Sequence, residues 1–177
     1  SPLTHGLPMP IADALVAEFD HETATTRTFL ERTPAAAAGW KPHEKSMTLG
    51  DLAAHLANLP SWGGPMLLLP ELDIAPVGQP PLKGPGFQST ETLLATFDKN
   101  VAEARAVLAG MSDEDYMRPW TLVVGGQTIF TVPRLTVARS YVLNHLIHHR
   151  GQYSVYLRLQ DVPVPGSYGP SADETGM

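Results

Sequence analysis

The residues of this chain best suited to chemistry are its histidines, seven in all. His145 and His149 are four residues apart, a spacing that on a helix stacks two side chains on one face about one turn apart. Two imidazoles so placed can share one divalent metal ion, and imidazole suits zinc, nickel, copper and ferrous iron. The stretch His145-Leu-Ile-His148-His149 lacks the glutamate of the zinc-peptidase helix, so it is not that motif. His148 is the rival ligand, three residues from His145, but it lies about 100° around a helix from His149. The pair 145 and 149 is preferred because both continue the stripe Leu135–Val142–Tyr153.

His55 is the third candidate. In Leu52-Ala-Ala-His55-Leu56 it borders an apolar stripe, about 40° by helical rotation from Leu59. A neutral polar ring at a core margin needs a partner. Three imidazoles from two segments would suit an open metal site that keeps a position for water or substrate. Three separately hydrogen-bonded core histidines are the alternative. His5, His21 and His43 are expected in solvent.

Two residues are candidates for a supporting role. Gln152 stands three residues beyond His149 on nearly the same face. It could hydrogen-bond a metal-bound water or substrate, or tie two helices together. Glu22 falls on the inner stripe of the first helix. It is expected as a solvated edge residue; pointed inward, it could orient a ligand histidine or accept a proton. Arg150 lies off the stripe and is expected in a salt bridge, and Tyr153 and Tyr156 in the core. No residue is assigned as catalytic. The chain has no cysteine, no Gly-x-Ser-x-Gly elbow, and no phosphate loop, since Gly63-Gly64 lacks the lysine that motif requires.

The elements that must position these residues read as four helices. Apolar spacing predicts them over Ile11–Glu31, from Thr48 to Pro60, over Ser89–Gly110 and over Pro133–Gln160. Thr48 and Asp51 resemble a capping box. Trp120–Val124 and Thr128–Val132 flank Gly125-Gly126 and predict a short hairpin. Between Pro60 and Pro85 there are seven prolines, which predicts a long loop with one helical turn at Met66–Leu69. The tail Val164–Met177 is expected to be irregular. The expected fold is all-α: one domain over residues 1–177, a four-helix bundle with a long crossover loop and a β-hairpin before the last helix.

Composition narrows the function. The chain has 177 residues, 43% of them hydrophobic and 17% charged, which is ordinary for a globular protein. Twelve basic residues against 18 acidic give a net charge of −6, so nucleic acid is not expected as a partner. No apolar run is longer than Met66–Leu69, far short of the ~20 residues of a membrane helix. The first ten residues lack the pattern of a signal peptide, and a cytoplasmic location is the expectation.

Three stretches carry a family resemblance. Lys45-Ser-Met-Thr-Leu-Gly-Asp-Leu-Ala-Ala-His55-Leu56, Asn144-His145-Leu-Ile-His148-His149-Arg-Gly-Gln152 and Val162-Pro-Val-Pro-Gly-Ser-Tyr168-Gly-Pro-Ser-Ala-Asp173-Glu174 resemble the DinB family. That family is distinct from the DNA polymerase of the same name. The resemblance runs along nearly the whole chain and implies a four-helix bundle with a metal held by three histidines. By position these would be His55, His145 and His149. It also implies homodimers, and relatives that include thiol transferases using bacillithiol, mycothiol or glutathione, and a thiol-dependent isomerase. The leading expectation is therefore a divalent-metal enzyme, with zinc or nickel, that activates a low-molecular-weight thiol against a small-molecule electrophile. A metal-dependent hydrolase and a non-catalytic metal or small-ligand binder are the alternatives.

Overall fold

The computed structural model describes residues 9–80 and 83–175. His5 lies outside them. Most of the chain is helical, and a small three-stranded sheet is attached to the helices.

Helix α1 spans Ile11–Leu30 and follows Pro10, whose carbonyl accepts from the Asp13 and Ala14 amides. Its start is tied down from afar, because the Ile11 amide donates to Asp113 at 2.9 Å. Helix α2 spans Leu49–Asn58 and opens on Thr48, whose hydroxyl accepts from the Asp51 amide. Pro60 does not end the helical path there. The chain tightens into a 3₁₀ turn over Leu59–Trp62 and continues as α3, Gly63–Leu68. Helix α4, Thr90–Gly110, begins at a reciprocal capping box between Ser89 and Thr92. A short helix not anticipated from the sequence follows: α5, Asp113–Met117.

The last long helical segment is built in three parts: α6 (Arg134–Val137), a π turn over Ala138–Leu143, and α7 (Asn144–Leu159). The π turn holds about one residue more than an α turn and so advances the buried face by one position. The stripe read from the sequence, Leu135–Val142–Tyr153, takes in His145 and His149. In the folded chain it runs through Val142, Leu146, Arg150, Tyr153 and Leu157. Arg150, expected off the stripe, is therefore in the core, and the histidines sit at its margin.

Helices α1 and α2 each pack against both α4 and α7. The interior they enclose includes Phe29, Leu52, Leu56, Phe97, Leu146 and Tyr153 at one end, and Leu15, Phe19, Leu108, Tyr116 and Val142 at the other. Burying each such apolar side chain contributes roughly 1.5–3 kcal/mol.

The expectation of an all-helical protein with one hairpin needs correction. The hairpin is present as β2 (Pro119–Val124) and β3 (Gln127–Pro133), turning through Gly125 and Gly126 at φ 58° and 79°. Two consecutive positive φ angles are what a two-residue hairpin turn demands. A third strand, β1 (Glu71–Asp73), emerges from the proline-rich segment and pairs in parallel with β2, Leu72 opposite Leu122. The Asp73 carboxylate then accepts from the Gly125 and Gly126 amides at 3.0 and 2.8 Å, locking strand to turn. Without β1 the outer edge of β2 would present unpaired backbone groups, and this short strand satisfies them.

The tail is also more ordered than expected. It carries a short helix, α8 (Ala172–Thr175), and Asp173 accepts from Arg158 Nη1 and Nη2 and from the Val164 amide. Among the described residues no helix is long and apolar enough to cross a membrane.

Candidate metal centre

His55 projects from α2, and His145 and His149 from the first turns of α7, just past the π turn. Because α2 packs on α7, the three rings meet. His145 Nε2 lies 2.9 Å from His149 Nε2 and 3.4 Å from His55 Nε2. One ring nitrogen from each of the three falls within 4.8 Å of the others, and all three rings are half-buried. His148 is exposed, as are His21 and His43.

Three imidazoles this close disfavour one another's protonation. Burial, followed by the neighbouring His149 and His145, holds His55 down at about 4. Burial and then His149 lower His145, and burial lowers His149. The group is thus biased towards neutral rings, the form that binds metal. Gln152 adds direction. Its Oε1 lies 2.7 Å from His149 Nδ1. A carbonyl oxygen only accepts, so Nδ1 carries the proton and the Nε2 lone pair is left facing the other histidines. His145 Nδ1 is buried without a partner of hydrogen-bonding geometry, although the Tyr141 carbonyl is close enough to oppose part of the shift on that ring.

The donor set fits a metal ion. Ligand nitrogens about 2.0–2.1 Å from a tetrahedral ion lie about 3.3 Å apart. The two close separations, 2.9 and 3.4 Å, bracket that value. Without a cation, three converging nitrogens with few protons among them would be left poorly satisfied.

Glu22 is not where solvation would place it. It is 5% exposed, and its Oε2 lies 2.6 Å from Arg150 Nη1 as an ion pair rather than a directed hydrogen bond. Its Oε1 accepts from the Tyr168 hydroxyl at 2.9 Å. Arg150 also donates to the Glu22 carbonyl and to Tyr168. Glu22 makes no hydrogen bond to the three histidines; it closes a separate network joining α1, α7 and the tail. The polar break in the α1 stripe at Glu22 and Thr26 was the available signal, and Arg150 is its counterpart.

Two residues of the site went unread in the sequence. Trp62, from the 3₁₀ turn, stands edge-on to His55 and His145, with ring centroids 5.9 and 5.4 Å away. Lys83 joins His55, Asp51, Asn58 and Trp62 in lining a cleft of about 330 Å³. Through His55 the site therefore borders open space large enough for a small molecule.

Comparison with known proteins agrees with this fold. No curated protein matches the chain. A DinB-like protein from Bacillus cereus is similar in structure, with a TM-score of 0.66 at 20% identity, over 92% of this chain and 100% of the other. A DinB-like protein from Bacillus subtilis, YjoA, gives 0.65 at 17% identity, over 87% and 96%. At such identity the likeness speaks for the fold alone. The sequence profile of the DinB superfamily matches residues 18–153, more than half of the chain and inclusive of all three histidines, and the chain belongs to that superfamily.

Proposed function

We propose that His55, His145 and His149 hold one divalent metal ion, zinc or nickel, and that the protein is a thiol S-transferase acting on a small electrophile. In this reading the four long helices form a four-helix bundle, with α2 and α7 supplying the ligands from adjacent faces. The observation that carries it is the convergence of three imidazole nitrogens beside an open cleft. When bound, the ion would supply the positive charge that lowers a thiol's pKa. The chain has no cysteine, so the sulfur must arrive with a low-molecular-weight cosubstrate. The thiolate sulfur forms a bond to the electrophilic carbon, the leaving group departs with its electron pair, and the thiol proton passes to solvent.

The protein's own residues orient these partners. Gln152 holds the His149 tautomer, Trp62 covers one side of the rings, and Asn58 and Asp51 offer polar contacts in the cleft. Hydrolysis is the weaker reading, because Glu22, the carboxylate considered as its base, is committed to Arg150 and Tyr168. A homodimer belongs to the same proposal and rests on the family resemblance.

The test is metal content followed by turnover. The wild-type protein should bind one ion per chain, and His55→Ala, His145→Ala and His149→Ala should each lose it. The loaded protein should conjugate glutathione, bacillithiol or mycothiol to chlorodinitrobenzene. No thiol-dependent rate with any of the three removes the transferase, and bound metal without turnover leaves a metal-binding protein.

A further inference from the structure

A second cleft, of about 450 Å³, shares Trp62 with the first. Its walls include Trp62, Met66, Leu72, Ile74, Leu122 and Tyr141, nearly all apolar in character. Small-ligand sites commonly measure about 300–1,000 Å³ and are mostly apolar with a few polar groups. The sheet builds this cleft. Leu72 on β1 pairs with Leu122 on β2, and the Ile74 amide donates to the Val123 carbonyl at 3.1 Å. Phe130 on β3 stacks against Tyr141 at 5.8 Å and braces that wall.

The cleft adjoins the histidines without containing them. Trp62 and Lys83 line both clefts, and Trp62 is edge-on to His55 and His145. Tyr141, a wall of the second cleft, also carries the carbonyl beside His145. A molecule seated against Trp62 is thus one side chain from the triad.

Charge selects what would sit there. Among the described residues Lys83 is the one charged residue lining the cleft, and no carboxylate pairs with it. In a chain of net charge −6, an unpaired ammonium over an apolar hollow favours an apolar molecule with an anionic group. The Tyr141 hydroxyl makes no hydrogen bond among the described residues, which leaves a polar tip for a ligand to use.

We infer that this cleft binds a flat, apolar organic anion between Trp62 and the Leu72–Leu122 strand pair, with its charge at Lys83. Resting on the reading above, this molecule is the acceptor of the thiol, and the polar cleft at His55 takes the thiol.

Binding can be tested apart from metal and turnover. The probes are anilinonaphthalenesulfonate and its uncharged counterpart, phenylnaphthylamine, titrated into the whole chain with and without zinc. Each should show one saturable site. Leu122→Trp should weaken both by about tenfold or more, and Ile74→Trp, on the more exposed part of the wall, should do the same if the first variant folds poorly. Lys83→Met should remove an advantage of about threefold to tenfold for the sulfonate and leave the neutral probe unchanged. His55→Ala should lose metal yet bind both probes as before. The inference is overturned by the absence of saturable binding, by unchanged binding in a folded tryptophan variant, or by a sulfonate advantage that survives Lys83→Met. If instead His55→Ala keeps its metal while the probes behave as expected, the metal reading fails and the cleft assignment stands.

Discussion

His149 and Arg150 are neighbours on α7, yet they belong to polar clusters of opposite character. Arg150 is 2% exposed and meets Glu22, the Glu22 carbonyl and Tyr168. Opposite charges are matched there, and the donors find acceptors within the chain. His149 meets His145 and is held by Gln152, with His55 close by. Like groups face one another there, burial biases them against charge, and a buried nitrogen of His145 has no partner. A polar cluster that balances itself holds structure together. One whose lone pairs converge requires something from outside.

The largest effect should come from the balanced cluster. Arg150→Met would leave the Glu22 carboxylate buried and uncompensated, and should cost about 3–5 kcal/mol of stability in urea unfolding. Adding Glu22→Gln should restore much of it. A loss below about 1 kcal/mol would mean the pair is no more than a surface contact.

An intermediate effect should come from the support of the open cluster. Gln152→Ala frees the His149 ring and should weaken metal binding by about tenfold to a hundredfold, read by competition with a zinc chelator. Unfolding of the metal-free protein should barely change. Unaltered affinity would show that the Gln152 contact does not set the His149 tautomer.

The smallest effect concerns acid. His55 titrates at about 4 in the folded protein, below the ordinary value of about 6.5. Between these values the unfolded chain binds the proton more readily. Stability of the metal-free protein should therefore fall as pH drops from about 6.5 through about 4, and this contribution should level off below. His55 is only half-buried, so the loss should stay within about 1 kcal/mol. Metal-free His55→Ala should lose less over the same range, and equal pH dependence in both proteins would contradict the assignment.

The two clusters were unequally legible. His145 and His149 share a face because four residues make about one helical turn, and that spacing survives in α7. The long helices were legible for the same local reason: α1 ends at Leu30 and α4 begins after Ser89, each within a residue of the apolar periodicity. Arg150 was misplaced because the π turn over Ala138–Leu143 shifts the stripe by one position, and hydrophobic spacing carries no mark of such a turn. Glu22 was expected in solvent because its partner lies 128 residues along the chain. Strand β1 is three residues long amid prolines, too short for any alternation to register.

Spacing and composition alone determined the long helices, the glycine turn of the hairpin and the pairing of two histidines on one face, because each depends on residues a turn or two apart. Tertiary structure decided that His55 meets that pair, that Arg150 is enclosed with Glu22, and that a strand from the proline-rich segment walls a second cleft. These depend on which elements pack together, and that is settled by the burial and hydrogen bonding of the whole chain at once.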